Sequence, residues 1–478
     1  MGRIRTNVYV PICLYSVTSA MFMPVFQSLV YLKVCQQNEQ FSGIKPEDCT
    51  NKTLSSSNQF LQTEANKIIL ISSVAMSICG IVSSVMIGKL GDQKSRKVAL
   101  LIPFFGLIMA DLTLILQSYF EYLSPYWFIL SELIFGLFGG YMTIFSSAFA
   151  YASELKSRSG EERSNSMAYL EGAIGFGCTI GLLLTSFLKT VGYFNVYLFF
   201  TVCHVLCVIY LFLLSDLKPI KRDGKEPEAL TNRAAFAKKF LGWTVLLEKR
   251  NRTKRIVVLL LSFGLSFFAY IGTMHIIFYY LKHRFHWDAR LYGFLKAPLQ
   301  ASTTLAALFL YPFLKAKKYT DSSLALIGLV SRGLGRLWLC IVWDTNSVYF
   351  LILFDMLSRF SPAALRSLLS KSVKTNEQGQ MFALVGVIEA AGNLLAASVF
   401  HTLFPFSISF FPQLSFVLMT ACILIPIALI WFNRVDIEKG PQALEADEEA
   451  DGNMKIVQKP ILIEDIEEQN EKEAREAI

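Results

Sequence analysis

Arg366 is a charged side chain in an apolar setting. It lies near the start of residues 362–379, a segment that begins inside an apolar stretch and ends in polar residues. A guanidinium at that depth is costly unless it faces a partner, a cavity or a ligand. Its planar fork of donors suits a carboxylate or a phosphate. Arg366 is therefore a candidate for binding an anion, for neutralising an acid such as Glu171 or Glu389, or for both in turn.

Glu171 has the complementary chemistry. It lies two turns into another apolar stretch, beside glycines that leave room around it. A carboxyl in such a place can be neutral while desolvated and can ionise when water or a cation arrives. That behaviour is what a proton-coupling site requires. The alternative is a carboxylate that is paired permanently with another helix.

The other ionisable groups at apolar depth are few: Asp111, Glu132, Glu154, His275, Arg332, Arg336, Asp355, Arg359 and Glu389. Asp355 and Arg359 are four residues apart, which predicts a local pair on one helix face. Arg332 and Arg336 have the same spacing with like charges, which indicates acids on a neighbouring helix or a second anionic contact. His275 could titrate near neutral pH; a buried, hydrogen-bonded histidine is the alternative.

Long apolar helices must hold these groups. Of the 478 residues, 53% are hydrophobic and only 17% are charged, a composition that is unusual for a soluble domain. Apolar stretches of roughly 20 residues, enough to cross a bilayer as a helix, recur along the chain. We count twelve of them between Val8 and Phe432. The sequence predicts an all-α membrane protein embedded in the lipid bilayer.

The distribution of Lys and Arg predicts the orientation. Short loops after even-numbered spans are basic, as at Lys89, Lys94, Lys156 and Lys315, whereas the loops around Tyr122, Asp344 and Pro405 carry no Lys or Arg. By the positive-inside rule both termini are cytosolic. The net charge of +8 arises largely from these loops, so it indicates topology and anionic lipid rather than a nucleic-acid partner.

Composition also divides the chain into regions. Residues 1–215 and 256–433 each hold six spans, and the basic segment 216–255 between them is predicted to be a cytosolic linker. Two six-helix bundles related by an axis along the membrane normal would give this division. Residues 434–478 are acidic and poor in aromatics, which predicts a disordered cytosolic tail.

The loop 33–66 is predicted to lie on the non-cytosolic side. It holds Cys35 and Cys49, which can form a disulfide in an oxidising compartment. It also holds the sequon Asn51-Lys-Thr, so Asn51 is a predicted glycosylation site. The first span is too long for the apolar core of a cleaved signal peptide, and we expect it to be an uncleaved anchor.

The turn between spans two and three carries a recognisable motif. Gly88, Asp92, Arg96 and Lys97 have the spacing of the signature loop of the major facilitator superfamily, which this turn resembles. The resemblance implies that Asp92 meets cationic groups and the dipole of a neighbouring helix. It also implies that Arg96 meets an acid on span four and that the loop holds a cytosolic gate. Ser95 replaces the glycine common in that family.

A narrower resemblance comes from the tenth span. Leu365-Arg-Ser-Leu-Leu-Ser-Lys371, followed by Asn376-Glu-Gln-Gly-Gln-Met-Phe382, is similar to the tenth helix and following loop of the solute carrier 46 family, which includes the proton-coupled folate transporter. Three places agree with it: residues 167–175, the Trp287-Asp288 and Tyr292-Gly293 pairs, and the signature loop. The resemblance covers roughly residues 5–435.

The resemblance implies roles for individual residues. Glu171 falls on the family's proton-coupling glutamate, and Arg366 falls on its arginine for substrate and proton coupling. Glu154 falls on a functional aspartate of the folate carrier. Tyr270 takes the place of its span-seven histidine, so it is a candidate substrate contact and argues against folate as substrate; His275 lies more than one turn away. His286 replaces a cysteine that bridges to the first loop in relatives, so Cys49 pairs with Cys35 or stays free.

Together these features predict a function. We expect a transporter that moves a small organic anion by alternating access with protons as the coupling ion, in the plasma membrane or an endolysosomal membrane. A non-folate substrate such as a muropeptide is preferred over folate. The alternative is a non-transporting sensor or receptor on the same scaffold. The sequence contains no convincing nucleotide, zinc or nucleophile motif, so we expect neither an enzyme nor a bound cofactor or metal.

Overall fold

The computed structural model describes most of the apolar part of the chain. The described residues are 7–37, 49, 59–120, 122–155, 160–185, 191–216, 250–285, 287, 289–373, 377–407 and 410–438. They belong to one compact unit, Met1–Glu438. The predicted glycosylation site Asn51, most of the linker 216–255, His286 and the tail beyond Glu438 lie outside the described residues.

By length and composition, twelve helical segments in these residues could cross a membrane. This agrees with the twelve predicted spans. Nine of the spans are single α-helices in the described residues: span one (Tyr9–Gln37), span two (Gln59–Gln93), span three (Arg96–Tyr119), span five (Gly160–Thr185), span six (Tyr193–Leu213), span seven (Arg250–Phe285), span nine (Asp321–Ile341), span eleven (Gln378–Ser407) and span twelve (Leu414–Glu438).

Span four is broken at glycines. Its two helices are Phe128–Leu137 and Gly140–Leu155. Between them Gly139 and Gly140 have φ of 103° and 62°, a left-handed conformation that side chains with a Cβ rarely adopt. The second helix carries Phe149 and Glu154, so the break sets the direction of both.

Span ten is broken just before Pro362, which has no amide hydrogen to bond the carbonyl of Ser358 four residues earlier. Its helices are Leu351–Asp355 and Phe360–Lys371, with a turn between them. Span nine satisfies the freed backbone groups: the Ser331 hydroxyl donates to the carbonyl of Phe354 at 2.6 Å, and Arg332 donates to the carbonyl of Ser358 at 3.0 Å. Irregular backbone at membrane depth requires such partners because lipid offers none.

Span eight contains one wider turn. The α-helix Ala289–Leu305 continues into the π-helical turn Ala306–Leu310 and then into Tyr311–Ala316. Single π-turns inside α-helices frequently mark functional sites. Here the turn packs against span five, since a Cβ on Gly172 would lie 2.2 Å from the Leu308 side chain.

Buried apolar side chains follow the two sets of spans. We call spans one to six the N-terminal half and spans seven to twelve the C-terminal half. Two buried clusters lie in the N-terminal half and one lies in the C-terminal half; Ala168 and Phe382 are the members that join a cluster of the opposite half. Because spans alternate in direction, the loops after even-numbered spans share one side, which we call the basic-loop side.

Candidate functional site

Arg366 is the centre of a buried charge network that joins the two halves. It is 7% exposed, and its two terminal nitrogens donate to different carboxylates. One nitrogen donates to Glu171 on span five, and the other donates to Glu389 on span eleven. Glu171 belongs to the N-terminal half, whereas Glu389 belongs to the same half as Arg366. The guanidinium fork therefore holds one acid from each half.

Aromatic rings cover the faces of the same guanidinium. Its central carbon lies 4.2 Å from the ring centroid of Phe149 and 5.0 Å from that of Phe263. Phe149 belongs to span four and Phe263 to span seven, so each half contributes one ring. Ring faces stabilise a cation that has lost its water, and they strengthen the ion pairs by excluding solvent.

Arg359 completes the network. Its terminal nitrogen lies 3.4 Å from a Glu171 carboxylate oxygen and 3.1 Å from the Glu171 backbone carbonyl oxygen. Its Nε donates to the hydroxyl of Thr303 on span eight at 3.3 Å. Two arginines and two glutamates therefore balance in charge. A proton on Glu171 would leave this cluster with one excess positive charge beside the boundary between the halves.

The break in span ten explains how both arginines reach Glu171. Arg359 ends the turn, and Arg366 follows it by seven residues in the helix Phe360–Lys371. Seven residues are about two helical turns, so the two side chains share one face. Close packing brings span five to this face, since a Cβ on Gly175 would lie 2.9 Å from the Arg359 guanidinium carbon.

The predicted pair of Asp355 and Arg359 is wrong. Asp355 ends one helix of span ten and Arg359 precedes the next, so the regular four-residue spacing on one face is lost. Asp355 instead accepts from Arg336 on span nine at 2.6 Å. The expectation of an acid opposite the two like charges of span nine agrees with this contact.

Arg332 has no acid at salt-bridge distance among the described residues and is held by neutral groups. Its NH1 donates to the backbone oxygen and hydroxyl of Ser266 at 3.0 and 2.6 Å. Its guanidinium carbon lies 5.3 Å from the ring centroid of Tyr270. Tyr270, predicted as a substrate contact, thus lies against Arg332 rather than in the Arg366 network.

The signature turn closes the halves on the basic-loop side. The Asp92 carboxylate accepts from the backbone amides of Gly379 and Gln380 at 2.8 and 2.7 Å, in the first turn of span eleven. These amides have no acceptor within their own helix, and the helix dipole favours an anion there. A Cβ on Gly88 would lie 2.7 Å from the Gly379 carbonyl oxygen, so the two spans approach closely.

Arg96 fixes Asp92 in that position. It forms an ion pair with Asp92, and its Nε donates to Glu154 on span four at 2.5 Å. This is the geometry that the resemblance to the signature loop implied. Lys97 points elsewhere and donates to the carbonyl of Phe212 at 2.6 Å. Glu154 therefore lies with the signature turn and not with Glu171.

A second contact on the same side centres on Asp321, the first residue of span nine. Its buried carboxylate accepts from Ser164 of the N-terminal half at 2.5 Å. Within its own half it accepts from Ser367 at 2.8 Å and pairs with Lys371 at 2.5 Å and Lys315 at 3.0 Å. We call this group, together with the contacts of Asp92, the basic-side latch.

Comparison with known proteins agrees with this architecture. The family model described as Major Facilitator Superfamily matches residues 8–397. The chain belongs to the major facilitator superfamily. The human organic anion transporter MFSD10 has a crystal structure that covers 90% of this chain and 99% of its own, with a TM-score of 0.69 and 17% identity. The structure of the fucose:proton symporter of E. coli has a TM-score of 0.61 and 10% identity. It covers 89% of this chain and 98% of its own.

Curated relatives confirm the narrower resemblance to the solute carrier 46 family. This facilitator is 26% identical over 435 residues to the lysosomal proton-coupled steroid conjugate and bile acid symporter of Gallus gallus, covering 88% of this chain and 92% of the relative. It is 25% identical over 388 residues to the proton-coupled folate transporter of Rattus norvegicus, covering 80% of this chain and 82% of the relative. These relatives are transporters rather than enzymes.

The remaining predicted residues lie apart from the Arg366 network. His275 contacts His401 of span eleven, with ring nitrogens 3.3 Å apart, toward the side opposite the basic loops. Cys35 and Cys49 lie at disulfide distance, with Cα atoms 5.9 Å apart. The network therefore brings together Glu171, Arg366 and Glu389 of the candidates, and it adds Arg359.

Sequence reasoning missed the latch around Asp321. Asp321 is the first residue of a span, and carboxylates are common in the first turn of a helix because they interact favourably with its dipole. Its neutral partner Ser164 carries no charge signal at all. The available signal was the unexplained Lys371 of the tenth-span motif, which needed an acid close to the same end of the membrane.

Proposed function

We propose that this facilitator is a secondary active transporter that moves an organic anion by alternating access and couples the movement to protons. The observation that carries the proposal is the ion pair of Arg366 with Glu171 across the boundary between the halves. A proton on Glu171 removes its charge and weakens that pair. The names of the relatives, a proton-coupled steroid conjugate and bile acid symporter and a proton-coupled folate transporter, support the coupling ion and the substrate class.

The cycle follows from which contacts cross the boundary. If the basic-loop side faces the cytosol, the contacts of the basic-side latch support a state in which the cytosolic path is closed. Protonation of Glu171 from the other side frees one arm of Arg366 for an acidic group of the substrate. The halves, residues 1–215 and 256–433, then rock about this site and break the latch.

We propose an amphipathic non-folate anion as the substrate. By the resemblance described above, Tyr270 takes the place of a histidine of the folate carrier. The ring of Tyr270 lies over the guanidinium of Arg332. A muropeptide, a steroid conjugate and a bile acid each combine an acidic group with a larger body. Such a substrate can meet a cation and aromatic rings together.

The proposed location is an endolysosomal or plasma membrane with both termini cytosolic. The basic loops after even-numbered spans support this orientation. It places Cys35, Cys49 and Asn51 outside the cytosol, where a disulfide and a glycan are formed. The lysosomal relatives favour an acidic lumen as the source of the protons.

Reconstituted protein in vesicles tests the proposal. Uptake of labelled taurocholate, estrone sulfate, muramyl dipeptide and folic acid is measured with an acidic and with a neutral exterior. We expect at least one anion to accumulate only with the acidic exterior, and we expect a protonophore to abolish its accumulation. Accumulation that ignores the protonophore would contradict proton coupling. No accumulation of any anion would contradict the substrate class.

A further inference from the structure

Span eight presents Lys296 on the face that meets the other half. One turn later, Gln300 donates to the carbonyl of Gly175 on span five at 3.4 Å. Two turns after Lys296, Thr303 accepts from Arg359. All three residues belong to the helix Ala289–Leu305, where positions four and seven apart share a face. Lys296 is the member of this row farthest from the basic-loop side.

Lys296 has no acid at salt-bridge distance among the described residues. The donor contact of its ammonium is with the thioether of Met274 at 2.6 Å, and the ring centroid of Tyr292 lies 5.7 Å away. Sulfur is a weak acceptor, and a ring face offers no lone pair. Lys296 is only partly exposed, and holding an ammonium there without an anionic partner is costly. By contrast, Arg366 and Arg336 each have a carboxylate.

The surroundings of Lys296 have an excess of positive charge. Its charge interacts with those of Arg336 and Asp355, and Arg332 belongs to the same group through Arg336. Asp355 pairs with Arg336, so Lys296 and Arg332 are left without an acid at salt-bridge distance among the described residues. The Arg366 network has two cations and two acids, so its charges balance.

Aromatic rings lie beside this positive group. Tyr292 packs edge-on against Phe278 with ring centroids 5.1 Å apart, and Tyr270 packs against Phe267 at 6.3 Å. Tyr270 contacts Arg332, and Tyr292 contacts Lys296. Each cation that lacks an acid thus has a tyrosine next to it. A rigid ring system with an acidic end would meet both features at once.

We propose that Lys296 anchors the acidic group of the transported anion, and that Tyr292 and Tyr270 pack against the ring body of the same substrate. The proposal deepens the proposed function and rests on it for the direction of transport. It assigns the first contact to the span-eight face, before Arg366 is released from Glu171. The ligand class is an amphipathic organic anion with a carboxylate, sulfate or sulfonate group.

Binding to purified protein tests this assignment without requiring transport. The dissociation constants of labelled taurocholate, estrone sulfate, muramyl dipeptide and folic acid are measured for wild type, Lys296→Met, Lys296→Arg and Lys317→Met. Methionine keeps the length of the side chain and removes the charge, whereas arginine keeps the charge. Lys317 is an exposed lysine at the other end of span eight and serves as the matched control.

For the anion that wild type binds most tightly, we expect Lys296→Met to weaken binding by about tenfold or more, because a desolvated charge pair is lost. Lys296→Arg should stay close to wild type, as should Lys317→Met. Equal affinity of wild type and Lys296→Met would overturn the assignment, as would wild type that binds none of the four anions. A folding defect would lower the thermal stability of Lys296→Met, and the charge-keeping Lys296→Arg then decides: wild-type affinity supports the assignment, and weakened affinity overturns it.

The outcomes separate this inference from the proposed function. Protein that binds an anion through Lys296 but does not accumulate it contradicts transport and supports the anchor. Protein that accumulates an anion equally well with and without the Lys296 charge supports transport and contradicts the anchor.

Discussion

Two buried charge groups in this facilitator differ in whether they cross the boundary between the halves. Arg366 pairs with Glu171 of the N-terminal half, whereas Arg336 pairs with Asp355 of its own half. Both pairs lie among apolar helices, where breaking a buried pair by removing one partner costs about 3–5 kcal/mol. In the proposed cycle, rocking of the halves breaks the first pair and can leave the second intact.

Burial alone does not distinguish a carboxylate that could couple transport to protons from one that stabilises a single half. A carboxylate held within one half keeps its partner through the cycle and stabilises that half. In the proposed cycle, a carboxylate held across the boundary changes partners, so its protonation changes the equilibrium between states. Glu389 and Glu171 show the contrast on a single guanidinium, since Glu389 shares the half of Arg366 and Glu171 does not.

The largest effect is expected from Arg366→Met. This change leaves Glu171 and Glu389 without the cation that both share, in a buried site. We expect uptake per molecule at the membrane to fall by about a hundredfold or more, since the loss is that of a buried ion pair. Transport is measured in vesicles after normalising for reconstituted protein. Arg366→Lys keeps the positive charge but cannot donate to both carboxylates from a planar guanidinium. Its uptake should therefore lie between that of wild type and that of Arg366→Met.

A stability effect without a coupling effect is expected from Asp355→Asn. The variant leaves Arg336 without its acid inside the C-terminal half, which should lower the free energy of unfolding by about 3 kcal/mol. Thermal unfolding in detergent measures the loss. The double variant Arg336→Met with Asp355→Asn should recover part of it. A changed ratio of uptake at acidic and neutral pH in Asp355→Asn would show that this pair also takes part in coupling.

A smaller effect is expected from Asp92→Asn. The amide keeps one acceptor for the first turn of span eleven but loses the charge that meets Arg96, which should weaken closure of the basic-loop side by about 2 kcal/mol. A cysteine at the buried residue Ala150 reports opening through its reaction with a maleimide. Labelling of Ala150→Cys should rise when Asp92→Asn is added. Unchanged labelling would mean that Asp92 does not hold this side closed.

Much of the fold could be predicted from the sequence, because an apolar stretch long enough to cross a bilayer has few alternatives to a helix. Glu171 and Glu389, the acids that pair with Arg366, were also among the predicted candidates. Few charges occur at membrane depth, and a buried guanidinium needs some of them. The signature turn was recognisable since its glycine, acid and base have a fixed spacing.

Other features could not be predicted because they depend on packing between distant segments. Pro362 favours a break near Arg359, but the shape of the break depends on Ser331 and Arg332 of span nine, which donate to the freed carbonyls. Without the break, Asp355 and Arg359 would share a helix face. Ser164 and Asp321 carry no signal in their own segments. Their role is visible only in the hydrogen bond that joins them across the boundary between the halves.

In the proposed cycle Glu171, and not Glu389, carries the proton dependence. The most direct measurement compares Glu171→Gln with Glu389→Gln in vesicles, with proton-driven accumulation and substrate exchange measured side by side at acidic and neutral pH. Protonating Glu171 weakens its attraction to Arg366, so wild-type uptake should rise as the pH falls. Glu171→Gln should exchange substrate at both pH values but lose proton-driven accumulation, and Glu389→Gln should keep the dependence on pH. Proton-driven accumulation that is unchanged in Glu171→Gln would contradict the account.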